Sequence, residues 1–254
     1  MSALTHRTAI DLAGVIRRRE ASAVEVTEAH LAHIELVNGA LNAVVTVCAE
    51  TALARARDAD IALARGEPWG PLHGVPITVK DAYDTAHVRT TSGHPSRADR
   101  VPHGNATPVA RLLGAGALLL GKTNMPPFGL NYQCENEVFG RTNNPWDVSR
   151  TPGGSSGGSA VAVAAGMAPL ELGGDLAGSI RVPAHYSGVF AMKPTEFLVS
   201  GAGSARPNAG PPRAIRHMSQ PGPLARCAAD MTLALRLLAG PDSARREIPP
   251  VPLD

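Results

Sequence analysis

The chain has 254 residues, 44% of them hydrophobic and 18% charged, which is enough for a sizeable buried core. A net charge of +2 and nine aromatic residues argue against a nucleic-acid or membrane surface. Three widely spaced cysteines favour a reducing compartment over a disulfide framework, and no segment predicts a membrane span. We therefore expect a cytoplasmic protein with no metal, no cofactor and no nucleic-acid or membrane partner.

The first part of the chain, residues 1–66, is predicted to be helical. Apolar periodicity predicts helices over Thr8–Arg19, from Ser22 onward and over Glu50–Arg65, with Gly66 as the stop signal. Ser22 and Glu25 have the spacing of a capping box. The inward stripe of the second helix is predicted to consist of Val24, Thr27, Leu31 and Ile34.

The pattern of residues 71–242 indicates an α/β arrangement. The alternation of Val75, Ile77 and Val79 predicts a strand, which Lys80 directly follows. Thr107 and Pro108 are typical of the N-cap and first residue of a helix that runs to Leu113. Further elements are predicted as strands at Ala117–Leu120 and Leu170–Leu172, a small-residue helix at AVAVAAGMA, and a helix at Ala228–Leu238. This order favours a sheet that is at least partly parallel.

Lysine is rare in this sequence. The chain holds 21 Arg and only three Lys, namely Lys80, Lys122 and Lys193. Arginine cannot be deprotonated in practice, whereas a buried lysine can, so each lysine is a candidate for a position where Arg would not serve. The competing explanation is biased codon usage, with three lysines retained by chance.

Two motifs point to chemistry that the surrounding residues do not support. Gly116–Thr123 matches a phosphate-binding loop, but its Ala-Leu-Leu-Leu centre favours a strand and two prolines follow, so we reject that interpretation. Gly153–Gly157 matches G-x-S-x-G with Ser155 at its centre, which is the pattern of a hydrolase nucleophile elbow. Asp175 with His185 or His217 would complete a triad. No strand precedes Ser155, which weakens this alternative.

A pair of Gly/Ser segments offers a different site. PGGSSGGSA surrounds Ser155 and GGDLAGSIRVPA surrounds Ser179. The first could be a flexible linker and the second an ordinary turn, but the first passes directly into an apolar helix. Lys80 and Ser179 each follow a predicted strand, and sites in open α/β sheets assemble beyond the strand carboxyl ends. We therefore expect these polar groups to share one neighbourhood.

Taken together, these segments resemble the amidase signature family. GVPITVKD, LLLGKTNMPPFG, FGRTNNPWD, RTPGGSSGGSAVAVAAGMAPLELGGDLAGSIRVPA and FAMKPT occur in the family's order and spacing, and the similarity runs from about Glu25 to residue 242. The resemblance implies an α/β fold with a mixed central sheet covered by helices on both faces. It also implies one domain over residues 1–254, shorter than the family norm and incomplete at its C-terminus.

The resemblance also assigns roles to individual residues. It implies Ser179 as the acylated nucleophile, Ser155 as proton relay after a cis Gly154–Ser155 bond, and Lys80 as base. Ser156, Asp175 and Arg181 are expected in supporting positions. The implied oxyanion hole consists of the backbone N–H groups of Leu176, Ala177, Gly178 and Ser179. The family often has Gly where this chain has Ala177, which is acceptable if its φ is negative.

The expected function is hydrolysis of a small-molecule carboxamide to a carboxylate and an amine or ammonia. One alternative is the glutaminase-like subunit of a tRNA-dependent amidotransferase. That subunit usually has Gln after the Arg of the nucleophile segment, whereas Val182 follows Arg181 here. A second alternative is a non-catalytic remnant that acts as a binding domain. A homodimer is one assembly compatible with the sequence, and the sequence does not identify the substrate.

Overall fold

A computed structural model describes residues 4–204, 217–244 and 248–250. The helices of these residues are α1 (Ala9–Arg17), α2 (Ala23–Leu41), α3 (Ala49–Ala64), α4 (Thr107–Gly114), α5 (Gly157–Ala164), α6 (Arg181–Ser187) and α7 (Ala228–Leu238). The strands are β1 (Val44–Val47), β2 (Pro76–Lys80), β3 (Leu118–Thr123), β4 (Glu135–Asn136), β5 (Gly140–Arg141), β6 (Leu170–Asp175), β7 (Phe190–Ala191) and β8 (Gln220–Ala225). No helix in the described ranges is long and apolar enough to cross a membrane.

The predicted N-terminal helices are present, but residues 1–66 are not helical throughout, because Val44–Val47 forms β1 and pairs with β3. The buried face of α2 also differs from the prediction. The Ser22–Glu25 capping box is formed, and Gly66 follows α3 with a φ of +78°. The buried face of α2 includes Ala23, Val26 and His30, whereas Val24 and Leu31 of the predicted stripe are only half-buried. Asp60 of α3 accepts the N–H groups of Ala23 and Val24 and so anchors α3 at this end of α2, a long-range contact that the helical pattern does not contain.

Six strands form one mixed sheet in the order β1–β3–β2–β6–β8–β7. The central strands β3, β2 and β6 are parallel, and the other pairs are antiparallel. Two predicted strands extend beyond their expected ends: β3 continues to Thr123 and β6 continues to Asp175. Because both extensions pair with neighbouring strands, polar residues join the sheet at the end where the predicted site lies.

The start of α4 differs by one residue from the prediction. Ala106 occupies the N-cap position, and Thr107 and Pro108 are the first two helical residues. The Thr107 hydroxyl donates to Asp242 Oδ2 at 2.8 Å instead of capping the helix. A long-range partner has therefore taken the side chain that the local pattern assigned to a cap.

Helices cover both faces of the sheet, which confirms the predicted α/β class. The Ile77 and Val79 side chains belong to a core with residues of α1, α4 and α7. On the other side, α5 and α6 pack together through a second core that includes Ile180 and Leu224. Side chains alternate along a strand, so Thr78 and Lys80 of β2 face the α5 side.

Candidate active site

Lys80 is the last residue of β2, and its side chain is buried beneath the start of α5. Its Nζ lies 2.7 Å from Ser155 Oγ and 2.8 Å from Ser156 Oγ. The Gly174 carbonyl oxygen is a third neighbour at 3.4 Å. A buried amine in contact with two hydroxyl groups can exchange a proton with either of them.

The segment before α5 brings Ser155 to this lysine. The Gly154–Ser155 peptide bond is cis, as the resemblance implied. A Cβ at Gly154 would approach the Tyr132 Cα and the Asn131 carbonyl oxygen to 2.9 Å, so only glycine fits there. Ser156 Oγ also donates to the Gly174 carbonyl at 3.1 Å, which ties the segment to the end of β6.

The Ser179 turn follows β6 directly. β2 and β6 are parallel neighbours, so their carboxyl ends meet at the same edge of the sheet, as predicted. The Ser156 N–H donates to the Ser179 carbonyl at 2.9 Å and joins the two serine segments. No hydrogen bond between Ser155 Oγ and Ser179 Oγ is formed in the described part of the chain. Both side chains are buried, and Ser179 retains 7% of its exposure.

Asp175 anchors this turn. Its carboxylate accepts the N–H groups of Gly178 and Ile180 and two hydrogen bonds from the Arg181 guanidinium, at 2.9 and 3.1 Å. Burial opposes the charge on Asp175, but these hydrogen bonds outweigh it and lower its pKa to about 2. The carboxylate is thus ionised at neutral pH, and it acts here as a fixed acceptor for the turn.

The expected oxyanion donors divide into two groups. The N–H groups of Leu176, Ala177 and Ser179 have no acceptor among the described residues, so they stay candidates. The Gly178 N–H donates to Asp175 Oδ1 at 2.7 Å, so it is engaged within the turn, and its role as an oxyanion donor stays a prediction. Gly178 has a φ of +109°, a conformation that glycine adopts readily, while Ala177 avoids positive φ as its side chain requires.

The structure does not assemble the Ser-His-Asp alternative. Asp175 is bonded to Arg181 and to backbone groups, His185 is exposed on α6, and His217 contacts Glu196 at 2.7 Å. Ser155 follows an irregular segment instead of a strand. The rejected phosphate-loop motif lies in β3, where Lys122 is fully buried. No group of His, Cys, Asp or Glu in the described ranges could hold a metal.

A buried carboxyl group beside the site was not predicted from the sequence. Glu171 of β6 accepts a hydrogen bond from Thr123 Oγ1 at 2.8 Å, and Thr123 Oγ1 lies 3.0 Å from Ser159 Oγ of α5. Burial raises the pKa of Glu171 to about 7, against the opposing effect of nearby hydroxyl groups that include Thr78. The only signal in the sequence is a glutamate inside the apolar run PLELGG.

Comparison with known proteins places this geometry in a family. The sequence model of the Amidase family matches residues 25–254. The chain is 46% identical over 242 residues to a glutamyl-tRNA(Gln) amidotransferase subunit from Acidothermus cellulolyticus, covering 95% of this chain and 46% of that protein. It is 43% identical to the protein of the same name from Salinispora tropica, over 100% of this chain and 50% of the relative.

Solved structures give the same result for the fold. A bacterial aryl acylamidase of the amidase signature family superimposes with a TM-score of 0.90 at 32% identity, over 100% of this chain and 51% of that one. The peptide amidase of Stenotrophomonas maltophilia gives 0.87 at 32% identity, over 95% and 50%. The chain thus spans about half the length of the relatives it matches. On its sequence match and its fold, the chain belongs to the amidase signature family.

Proposed function

We propose that the chain hydrolyses a carboxamide through an acyl-enzyme at Ser179, with Ser155 as proton relay and Lys80 as base. The observation that carries this proposal is the 2.7 Å contact between Lys80 Nζ and Ser155 Oγ. Ser155 lies in a segment hydrogen-bonded to the backbone of Ser179. A serine hydroxyl is a weak nucleophile until a neighbouring base removes its proton, and the Lys80–Ser155 contact supports the last step of such a proton route.

The reaction would proceed in two halves. Ser179 Oγ attacks the amide carbon, its proton passes to Ser155, and the Ser155 proton passes to Lys80 in its neutral form. The C–N bond then breaks, and the proton returns through Ser155 to the leaving amine. Water attacks the acyl-enzyme by the same route and releases the carboxylate and free Ser179. Rotation of the Ser179 side chain towards Ser155 is part of the proposal, since catalytic contacts often tighten only with substrate bound.

The nucleophile turn would stabilise the negative charge of the tetrahedral intermediate. The N–H groups of Leu176, Ala177 and Ser179 are the candidate donors, and each such donor contributes about 3 kcal/mol in well-studied hydrolases. Asp175 supports this role because it holds the turn through the Gly178 and Ile180 N–H groups. The carboxylate and Arg181 act on the shape of the turn, without contact to the substrate.

The residues around the site support a proposal for the substrate class. Leu130 and Tyr132 are exposed large side chains on the segment that packs against Gly154, and a Cβ at Gly129 would lie 3.0 Å from Ser155 Oγ. Val182 lies against both Gly153 and Gly178. This rim favours a small-molecule amide with an apolar group beside its carbonyl. Two structural relatives are named as a peptide amidase and an aryl acylamidase, which supports an amide substrate.

A second candidate function is the glutaminase activity of an amidotransferase subunit. Its support is the curated relatives, which carry that name at 42–46% identity. Val182 argues against it because this apolar side chain lies beside the nucleophile turn.

We propose that the protein works in a reducing cytoplasm, since Cys48, Cys134 and Cys227 form no disulfide. A homodimer is one assembly in which it could act.

The test is turnover of an amide panel by the chain as it stands. Glutamine, acetanilide, a peptide amide and a long-chain fatty amide are offered, and amine or ammonia release is measured. Ser179→Ala should abolish release, whereas Ser149→Ala, at an exposed serine bonded to Asp147, should not change it. Preference for glutamine would support the second candidate. No release by a well-folded chain would support the non-catalytic remnant.

A further inference from the structure

Tyr132 contacts both serine segments of the site. Its residue is 45% exposed, yet its hydroxyl donates to the Ala177 carbonyl oxygen at 2.7 Å. Its backbone packs against Gly154, where a Cβ would come within 2.9 Å of Tyr132 Cα. The residue thus spans from the glycine before the relay serine to the turn that precedes the nucleophile.

The Ala177–Gly178 peptide unit is held from two sides. The Tyr132 hydroxyl binds its carbonyl oxygen, and Asp175 Oδ1 accepts its N–H at 2.7 Å. Asp175 is itself fixed by the Arg181 guanidinium. These two short hydrogen bonds engage opposite edges of one peptide plane and so favour its observed orientation, although a glycine with a φ of +109° would tolerate others.

This peptide unit sets the direction of its neighbours. The N–H groups of Ala177 and Ser179 belong to the peptide units directly before and after it, and both have no acceptor among the described residues. If the central unit rotated, the Ala177 carbonyl would leave Tyr132, and the flanking N–H groups would turn with it. A misplacement of about 1 Å in such donors costs on the order of 100-fold in rate.

We propose that Tyr132 is a positioning residue for the nucleophile turn, acting through the orientation of the Ala177–Gly178 peptide. The inference rests on the proposed function, because it assigns Tyr132 a role in the acylation of Ser179. Tyr132 does not act as a base or donor to the substrate. Its hydroxyl donates to the carbonyl oxygen of the Ala177–Gly178 peptide, and Asp175 accepts the N–H group of the same peptide.

The experiment measures inactivation by an alkyl fluorophosphonate, in which the serine oxygen forms a bond to phosphorus and fluoride leaves. Tyr132→Phe removes only the hydroxyl from a half-exposed ring, so the fold should stay intact. We expect its kinact to fall about 10-fold with KI within about twofold, because the reagent still binds and only the positioned donors are lost. Tyr186→Phe, at a comparably exposed tyrosine on α6, is the matched control and should leave both constants unchanged.

A second readout does not depend on activity. Amide hydrogen exchange at Gly178 should become at least about 10-fold faster in Tyr132→Phe, and not in Tyr186→Phe, because the far side of the held peptide is released. Equal kinact in Tyr132→Phe and wild type, or unchanged Gly178 exchange, would overturn this inference. Wild-type protein that is not labelled at Ser179 would instead contradict the proposed function, and the exchange measurement would still test the positioning of the peptide.

Discussion

The two buried lysines at the carboxyl ends of adjacent parallel strands have different surroundings. Lys80 ends β2 and faces the hydroxyl groups of Ser155 and Ser156 under α5. Lys122, paired with Val79 in β3, donates to the Tyr83 carbonyl and to Thr85 Oγ1 at 2.9 Å. Alternation along the strands places them on opposite faces of one sheet. Under the proposed function, the lysine that acts as base is the one whose buried amine contacts hydroxyl groups that can pass a proton onward.

The electrostatics of Lys122 agree with a structural role. Burial lowers its pKa to about 8, with Asp81 as the main opposing charge. Asp81 is buried as well, and burial raises its pKa. Asp81 accepts a hydrogen bond from Thr91 Oγ1, and Lys122 donates one to Thr90 Oγ1. Neither group contacts Ser155, Ser156 or Ser179. Lys122 thus fastens the segment after β2 to the sheet.

Replacement of each lysine in turn should give the largest difference between the two positions. Lys80→Ala should lower kcat by about 10⁴-fold or more, because the base is lost, while the fold is retained. Lys122→Met should leave kcat within about 10-fold but lower the free energy of unfolding by about 1–3 kcal/mol, since buried acceptors lose their donor. Turnover and urea unfolding of both variants measure the two effects. A larger rate loss in Lys122→Met than in Lys80→Ala would reverse our assignment.

The two serines that contact Lys80 should differ in the same way. Ser155→Ala should lower kcat by about 10³-fold, because the proton route from Ser179 is interrupted. Ser156→Ala should cost only about 10-fold, since Ser156 supports the lysine and the Gly174 carbonyl but does not carry the proton. Steady-state kinetics of both variants decide the point. Equal losses would mean that the relay is not specific to Ser155.

Glu171 lies on the same face of the sheet as Lys80, and its contribution to the free energy of unfolding should depend on pH. Its folded pKa of about 7 lies above its ordinary value of 4.5, so its contribution to stability is present below pH 4.5 and lost as pH rises through 7. Glu171→Gln mimics the protonated group. Its stability relative to wild type should therefore rise by about 3 kcal/mol between pH 4 and pH 8. Urea unfolding at several pH values measures this, and a constant difference would contradict the raised pKa.

Asp175 should give the smallest effect, with the opposite sign. Its pKa of about 2 lies below its ordinary value of 3.8, so its stabilisation is present above pH 3.8 and lost as pH falls towards 2. Asp175→Asn should lower the free energy of unfolding by about 2 kcal/mol at pH 7, and the difference should shrink below pH 4. Asp58→Asn, at an exposed aspartate of α3, is the control. No shrinkage in acid would mean that Asp175 is not held ionised by the turn.

Much of the fold follows from local signals, and the exceptions have physical causes. The Ser22–Glu25 capping box and the β2 alternation are read from short windows, and both are present. β8 was not predicted because QPGPLA contains two prolines, which lack the N–H that a strand usually donates. The strand forms because β6 and β7 flank it on both sides, which no local pattern could indicate.

The site shows the same division between local pattern and long-range contact. Lys80, Ser155 and Ser179 are predicted from motifs, and the parallel pairing of β2 and β6 brings their segments together. The engagement of the Gly178 N–H by Asp175 could not be predicted, because it depends on the fold of a short turn. The Tyr132–Ala177 contact joins residues 45 apart in sequence, and neither residue carries a motif for it.

The most direct test of the account is the identity of the residue that an alkyl fluorophosphonate modifies. Labelled protein is digested, and the modified peptide is identified by mass spectrometry for wild type, Lys80→Ala and Lys122→Met. We predict the adduct on Ser179 in wild type and in Lys122→Met, with no adduct in Lys80→Ala. An adduct on Ser155, or equal labelling of Lys80→Ala, would contradict the assignment of Ser179 as nucleophile and Lys80 as its base.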